Sequence, residues 1–339
     1  MSPPPIVCTR DNTTPWVIAA VGLALGEGDF SPLPLWMSML LSCLCDVYVI
    51  LCNPFVDYNF DVPFRRIARG RMVRQAGVVF SAMLILAGVF SHPAEGHRPF
   101  LRASDADVVD PGMVELETGV EISRNTRGDS DKTSYTLPSV EFNFGIADRI
   151  EIDISTGFEL VDDDQEDRTL GSASDTGLTF KTLWWEGEEG APSLATEFSL
   201  NLPTARDEFQ PDGRHRVGGT GQVDLSGETG PLLYILNLGG GVEPSPEDGD
   251  YVGVFIWAVA GEFTVADRVA VVSEFQGKAI PGADNETTAL LGLTYTTPAG
   301  VKFDFAGFAG LTDGSDNWGI RFGLSFNFPV VSRPSGKRR

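Results

Sequence analysis

Cysteine disappears early from this 339-residue chain: Cys8, Cys43, Cys45 and Cys52 are the only four. A body without thiols suits export to an oxidising compartment, where stray cysteines are a liability. Histidine is almost as scarce, with three in all, and beyond His97 only His215 remains. A Ser-His-Asp arrangement therefore has one candidate histidine, in the stretch "RDEFQPDGRHR", and no G-x-S-x-G accompanies it. Positive charge is the third scarcity. Lys and Arg number 25 against 47 Asp and Glu, for a net charge of −22. Residues 1–96 hold six basic and seven acidic residues, so −21 of that charge falls on the remainder. A nucleic-acid partner is excluded by the lack of any basic footprint. No glycine-rich loop opens a helix to cradle phosphate either, since the glycines at 239–241 sit within a strand pattern. Nothing in the sequence calls for a cofactor.

What the chain does have, from Met113 to Phe328, is a twelve-fold recurrence of short segments in which apolar residues alternate with polar or small ones. In "VELETGVEI" (114–122), Val114, Leu116, Val120 and Ile122 fall on one side and Glu115, Glu117, Gly119 and Glu121 on the other. Successive strand side chains point to opposite faces, so this period sorts them into a wet and a dry row. Strands are expected near 113–123, 135–146, 150–160, 175–185, 193–202, 219–228, 231–242, 251–265, 269–277, 287–296, 301–311 and 318–328. Most reach the ~9–11 residues of a tilted membrane-crossing strand. Their connections alternate between short (Ala147-Asp148-Arg149, "EGEEGAP", Thr229-Gly230, Ala266-Asp267-Arg268, Pro298-Ala299-Gly300) and longer polar stretches. An even number of strands with short turns at one end and long loops at the other predicts an all-β fold, an antiparallel transmembrane barrel of about twelve strands. A soluble periplasmic β-sandwich shares the alternation but has no reason to gather its long loops at one end.

Five regions follow. Residues 1–71 lack periodicity, and two readings stand: a start assigned too early, with translation beginning at Met72, or a membrane helix over 35–52 whose Cys43 and Cys45 form a metal or redox site. Residues 72–96 read as a secretory signal, with Arg74, an apolar run over 76–90 and a small-residue site at Ala94-Glu95-Gly96, giving expected cleavage before His97. Residues 97–112 are a lead-in that either enters the barrel, with Arg98 and Arg102 meeting its acids, or stays a periplasmic tail. The barrel spans 113–328, and 329–339 form a basic tail.

If the apolar rows face lipid, the opposite rows line the lumen. They supply Glu115, Glu117, Glu121, Glu141, Glu151, Asp153, Glu197, Asp224, Glu274 and Asp304 against Lys181, Lys302 and Arg321. An open lumen of that charge favours cations and neutral solutes over anions; a narrow one fills with its own side chains. "LLYILNLGGGV" and "YVGVFIWAVAGEF" are apolar on both faces, which suggests a greasy inner patch with Phe255 and Trp257 as a path for an aromatic solute, or a packed plug contact. Trp184, Trp185, Tyr251, Tyr295 and Trp318 sit near strand ends, where interfacial girdles belong. The acidic run "DDDQED" (162–167) offers hard oxygen ligands for Ca²⁺, although the EF-hand spacing is missing.

The run of "RPF" (98–100), "DPGMVELETGVE" (110–121), "FGIADRIEI" (144–152), "NLPT" (201–204), "ILNLGGG" (235–241), "FTVADRVAVVSEFQG" (263–277) and "WGIRFGLSFNF" (318–328) resembles a family of Gram-negative outer-membrane proteins catalogued as transporters or under a MetA pathway of phenol degradation. The resemblance implies a porin-like barrel that moves small, aromatic or hydrophobic solutes and carries no catalytic residue. It also implies two partners, outer-membrane lipid and the barrel insertion machinery, which would read the terminal aromatic strand. The overhang after Phe328 departs from that pattern. Two further expectations compete with a channel: a structural or adhesive barrel acting through its acidic loops, and a membrane hydrolase using His215.

Overall fold

The computed structural model describes residues 102–330, apart from 128–130, 189, 211–214 and 246–249. The expectations for 1–71, the signal at 72–96, the cleavage site and residues 331–339 lie outside the described residues. Within them are thirteen strands: β1 (Met113–Asn125), β2 (Lys132–Ala147), β3 (Ile150–Asp163), β4 (Arg168–Ala173), β5 (Thr176–Trp185), β6 (Ser193–Leu202), β7 (Gly218–Thr229), β8 (Leu232–Pro244), β9 (Tyr251–Ala266), β10 (Val269–Ala279), β11 (Glu286–Thr296), β12 (Lys302–Gly310) and β13 (Trp318–Pro329). Every neighbouring pair is antiparallel, and β1 pairs with both β2 and β13. The sheet thus closes on itself, which leaves no aggregation-prone edge.

The ring has twelve members because β4 and β5 are two halves of one wall strand. Both pair with β3, β4 along Phe158–Asp163 and β5 along Ile150–Ser155, with a break at Ser174-Asp175. Here the structure revises the sequence expectation. The acidic run at 162–167 is a tight hairpin turn rather than a long loop, because Asp163 Oδ1 accepts the backbone N–H groups of Gln165 and Glu166, both at 3.1 Å. Asp162 is likewise engaged, accepting from the Thr169 hydroxyl. The carboxylates that suggested Ca²⁺ thus shape their own turn, and no group of three metal-ligating side chains occurs among the described residues.

The dry row faces outward. On β5, β6, β8, β10, β11 and β12, Phe180, Phe198, Leu238, Phe275, Leu291 and Phe305 are exposed, as a lipid-facing surface requires. Leu116, Leu324 and Phe326 of the same row on β1 and β13 are instead buried in a cluster with Val301. Trp184, Trp185 and Tyr295 stand at its short-turn end, and Tyr251 and Trp318 at its loop end, all exposed. Outward-facing Phe255 and Trp257 correct the expected inner aromatic path. Phe255 is 51% exposed, and Trp257 lies over Gly277, where a Cβ would fall 2.5 Å from the indole nitrogen. The period-two rule explains the correction: on β9 the buried partners are Val254, Ala258 and Ala260, so the intervening residues must point out.

The candidate lumenal site

The wet row turns to the interior of the ring. Of the thirteen side chains expected there, Glu115, Glu117, Glu151, Asp153, Lys181, Asp224, Glu274, Asp304 and Arg321 are buried, while Glu121, Glu141, Glu197 and Lys302 are partly so. Burial at this depth is not what a wide water-filled pore gives its lining. The interior is packed, and the chain itself supplies much of the filling.

That filling is the lead-in. The Ala103 N–H donates to Glu274 Oε2 at 2.8 Å, Ser104 N–H to Asn237 Oδ1 at 3.0 Å, Ala106 N–H to the Ser226 hydroxyl at 2.9 Å, and Val109 N–H to Glu151. Asn237 returns the contact, donating its amide to the Ser104 carbonyl at 2.7 Å. All these partners project from the interior rows of β3, β7, β8 and β10. Apolar contacts follow the same path: Ala103 packs with Ile235, Ala258 and Ala260, and Ala106 with Leu183 and Ala195. Gly145 makes room for the end of the segment, since a Cβ there would lie 2.2 Å from the Asp110 carbonyl.

Lys181 is the centre of the polar network. Cross-strand register sets it directly between Glu151 on β3 and Glu197 on β6. Its ammonium lies 3.4 Å from Glu197 and 3.9 Å from Asp105, and donates to the Ser104 hydroxyl at 3.0 Å. Ser104 in turn donates to Glu197. Gln222 bridges the acids, giving its amide to Glu197 at 3.0 Å and Asp224 at 2.8 Å, and Asn237 adds a donor to Asp224 at 2.6 Å. A second cluster closes the seam of the barrel, where Arg321 pairs with Glu121 at 2.7 Å and lies over the Phe308 ring at 4.7 Å. Asn143 donates to Glu117 at 3.1 Å, while Glu141 stands directly across the strand pair from Glu117. Buried charges persist only when paired and hydrogen-bonded, and the Lys181–Glu197 and Arg321–Glu121 pairs meet that condition.

Some interior groups escape the sequence reading. Lys278 pairs with Glu243 across β9, yet both fall one residue past the expected ends of their strands. Asn237, Gln222 and Ser226 are uncharged, so a search for charged lining passes over them.

His215 is in the wrong setting for catalysis. Its Nε2 lies 2.7 Å from Asp207 Oδ1 and its Nδ1 2.9 Å from the Pro203 carbonyl. Both neighbours accept, so the doubly protonated ring is the form that satisfies both contacts. Its pKa is raised, chiefly by the Asp207 hydrogen bond and also by that to Pro203. A ring with no free lone pair cannot act as a general base.

No family model matches the chain, and no curated protein matches it. Among solved structures it is similar to an outer-membrane channel of Pseudomonas putida F1, at 12% identity over 67% of this chain and 100% of that one, with a TM-score of 0.52. It is less similar to the KdgM porin (12% identity, 62% and 98% covered, TM-score 0.40) and to the CymD monoaromatic hydrocarbon channel (8% identity, 65% and 89% covered, TM-score 0.39). The closed ring, its exposed apolar belt and the first of these likenesses agree on the architecture: a twelve-stranded antiparallel β-barrel of the Gram-negative outer-membrane type.

Proposed function

We propose that this protein is an outer-membrane channel for the passive passage of small solutes, aromatic and hydrophobic ones included, through an anionic lumen that the lead-in segment closes at rest. The observation that carries this reading is the manner in which residues 103–109 are held. They add no strand to the ladder, and they meet the wall through single N–H groups, small side chains and the contacts of Ser104 and Asp105 with Lys181 and Glu197. Each such bond is worth roughly 0.5–1.5 kcal/mol, or about 1.5–3 to a charged acceptor, so the segment can leave while the barrel stays closed. A barrel that served only as a support gains nothing from burying carboxylates. The sequence resemblance to phenol-pathway transporters supports aromatic cargo, and the aromatic stripe of β13 supports recognition by the insertion machinery. No catalytic step is assigned.

Proline has no N–H to donate, so the combined variant Ala103→Pro, Ala106→Pro and Val109→Pro removes three of the tethers without touching a strand. Reconstituted in planar bilayers, this variant is expected to conduct at least about tenfold more than the parent, since a tenfold gain needs the loss of only about 1.4 kcal/mol of closure. A folded, heat-modifiable barrel silent in both forms would overturn the channel reading and turn the search to the external loops.

A further inference from the structure

Glu274 occupies an unusual position in the wall. Its cross-strand neighbours are Ala260 on β9 and Leu290 on β11. The same row continues to Ile235 on β8 in one direction and Phe308 on β12 in the other. All four neighbours are buried and apolar, and Glu274 itself is 0% exposed. Its Oε2 takes the Ala103 N–H, while its Oε1 is buried with no hydrogen-bond partner. A carboxylate in such a setting is costly unless a cation or donor compensates it.

The present occupant shows what compensates it. The positive charges that face Glu274 are Arg321, already paired with Glu121, and Arg102 of the lead-in. The lead-in thus brings a donor and a positive charge to the carboxylate, while the Ala103 methyl packs on Ile235, Ala258 and Ala260. At Glu274 the occupant is therefore the Arg102-Ala103 end of the segment, a positive charge beside a small apolar side chain, while the acids Asp105, Asp107 and Asp110 lie further along it. When it leaves, Arg102 and the N–H leave with it.

We infer that the solute which takes its place is an amine-headed amphiphile, a protonated arylalkyl or alkyl amine. Its ammonium sits at Glu274 and its apolar body lies along Ile235, Ala260, Leu290 and Phe308. The inference rests on the channel reading and names its substrate class. The same interior already holds one ammonium in this way, since Lys181 is 1% exposed and sits among Glu197, Asp105 and Ser104. An organic anion meets carboxylates on the same path and is disfavoured. A neutral aromatic fills the apolar row but leaves Glu274 only the charge of Arg321, which Glu121 already shares.

Benzylammonium chloride is the probe, with benzyl alcohol and sodium benzoate as neutral and anionic controls of matched size. In bilayers, bi-ionic reversal potentials should give benzylammonium at least about tenfold the permeability of benzoate, the lower end of what a charged cleft does to local ion concentration. Titration calorimetry of the full chain in detergent reads binding without any current: benzylammonium should bind, benzyl alcohol should bind at least about tenfold more weakly, and Glu274→Gln should remove the difference. Should Glu274→Gln fail to give a heat-modifiable barrel, the parent's comparison of benzylammonium with benzyl alcohol still decides. Equal binding of amine and alcohol, or a potassium current with no preference for benzylammonium over benzoate, overturns the inference and leaves the channel reading standing. Silence of both the parent and the triple-proline variant overturns the channel reading instead.

Discussion

Two stretches of the interior wall obey the same alternation and come out as opposites. On β3, β5, β6 and β7 the inward residues include Glu151, Asp153, Lys181, Glu197, Gln222 and Asp224, of which Lys181, Glu197, Gln222 and Asp224 are linked by ion pairs and hydrogen bonds. On β9 the inward residues include Val254, Ala258 and Ala260, and the outward ones are apolar as well. Period two tells which side a residue takes and nothing about what waits there. A strand with a polar inner row has water or partners inside; a strand apolar on both faces must have something apolar packed within. Here that something is Ala103, and the lead-in reconciles the walls because its N–H groups serve the polar groups and its methyls the apolar ones.

If the polar wall is a true network, its centre should be its most sensitive point. Lys181→Met removes the only cation between Glu151 and Glu197 and leaves buried carboxylates facing one another. Breaking a buried pair from one side costs about 3–5 kcal/mol, so urea unfolding in lipid vesicles should shift by that amount. A shift under about 1 kcal/mol, the size expected of exposed pairs, would mean that water reaches Lys181.

The apolar wall should yield less. Ile235→Ala opens a void where Ala103 packs, and such truncations cost about 2–5 kcal/mol. The lower end, about 2 kcal/mol, is expected because the lead-in is tethered by single hydrogen bonds and can settle into the space. The same titration checks it, and a loss as large as that of Lys181→Met would erase the distinction between the walls.

The smallest effect lies away from both, in the loop between β6 and β7. Because His215 titrates above its ordinary value of about 6.5, its bonds to Asp207 and Pro203 hold the loop fully below that value and are lost as pH rises through the raised one. Hydrogen exchange of the amides around His215 should speed up over that rise, with no change in the lumen. His215→Gln should abolish the pH dependence, and a conductance that followed the same titration would show that this loop, rather than the lead-in, governs the passage.

Strand positions were nearly all readable from the chain, because lipid on one side and a filled interior on the other impose an alternation that no single residue can hide. Boundaries cost the most. Ending β8 at 242 and β10 at 277 left out Glu243 and Lys278, which pair just beyond. The hairpin at Asp164–Asp167 was unreadable for a different reason: an acidic run looks the same whether it is solvated or is spent on its own turn, as that of Asp163 is. Phe255 and Trp257 were placed inside because both faces of β9 are apolar, and composition then gives no preference between them.

By itself the sequence determined the barrel and its twelve-fold wall, since these follow from local period and turn chemistry. Only the tertiary structure decided what that interior is. Whether Glu274 faces water or Ala103, and whether Lys181 is solvated or enclosed by Glu197 and Asp105, depends on residues far apart in the chain, 171 positions in the case of Ala103 and Glu274. Closure of the ring brings such residues together, and no local pattern records which ones will meet.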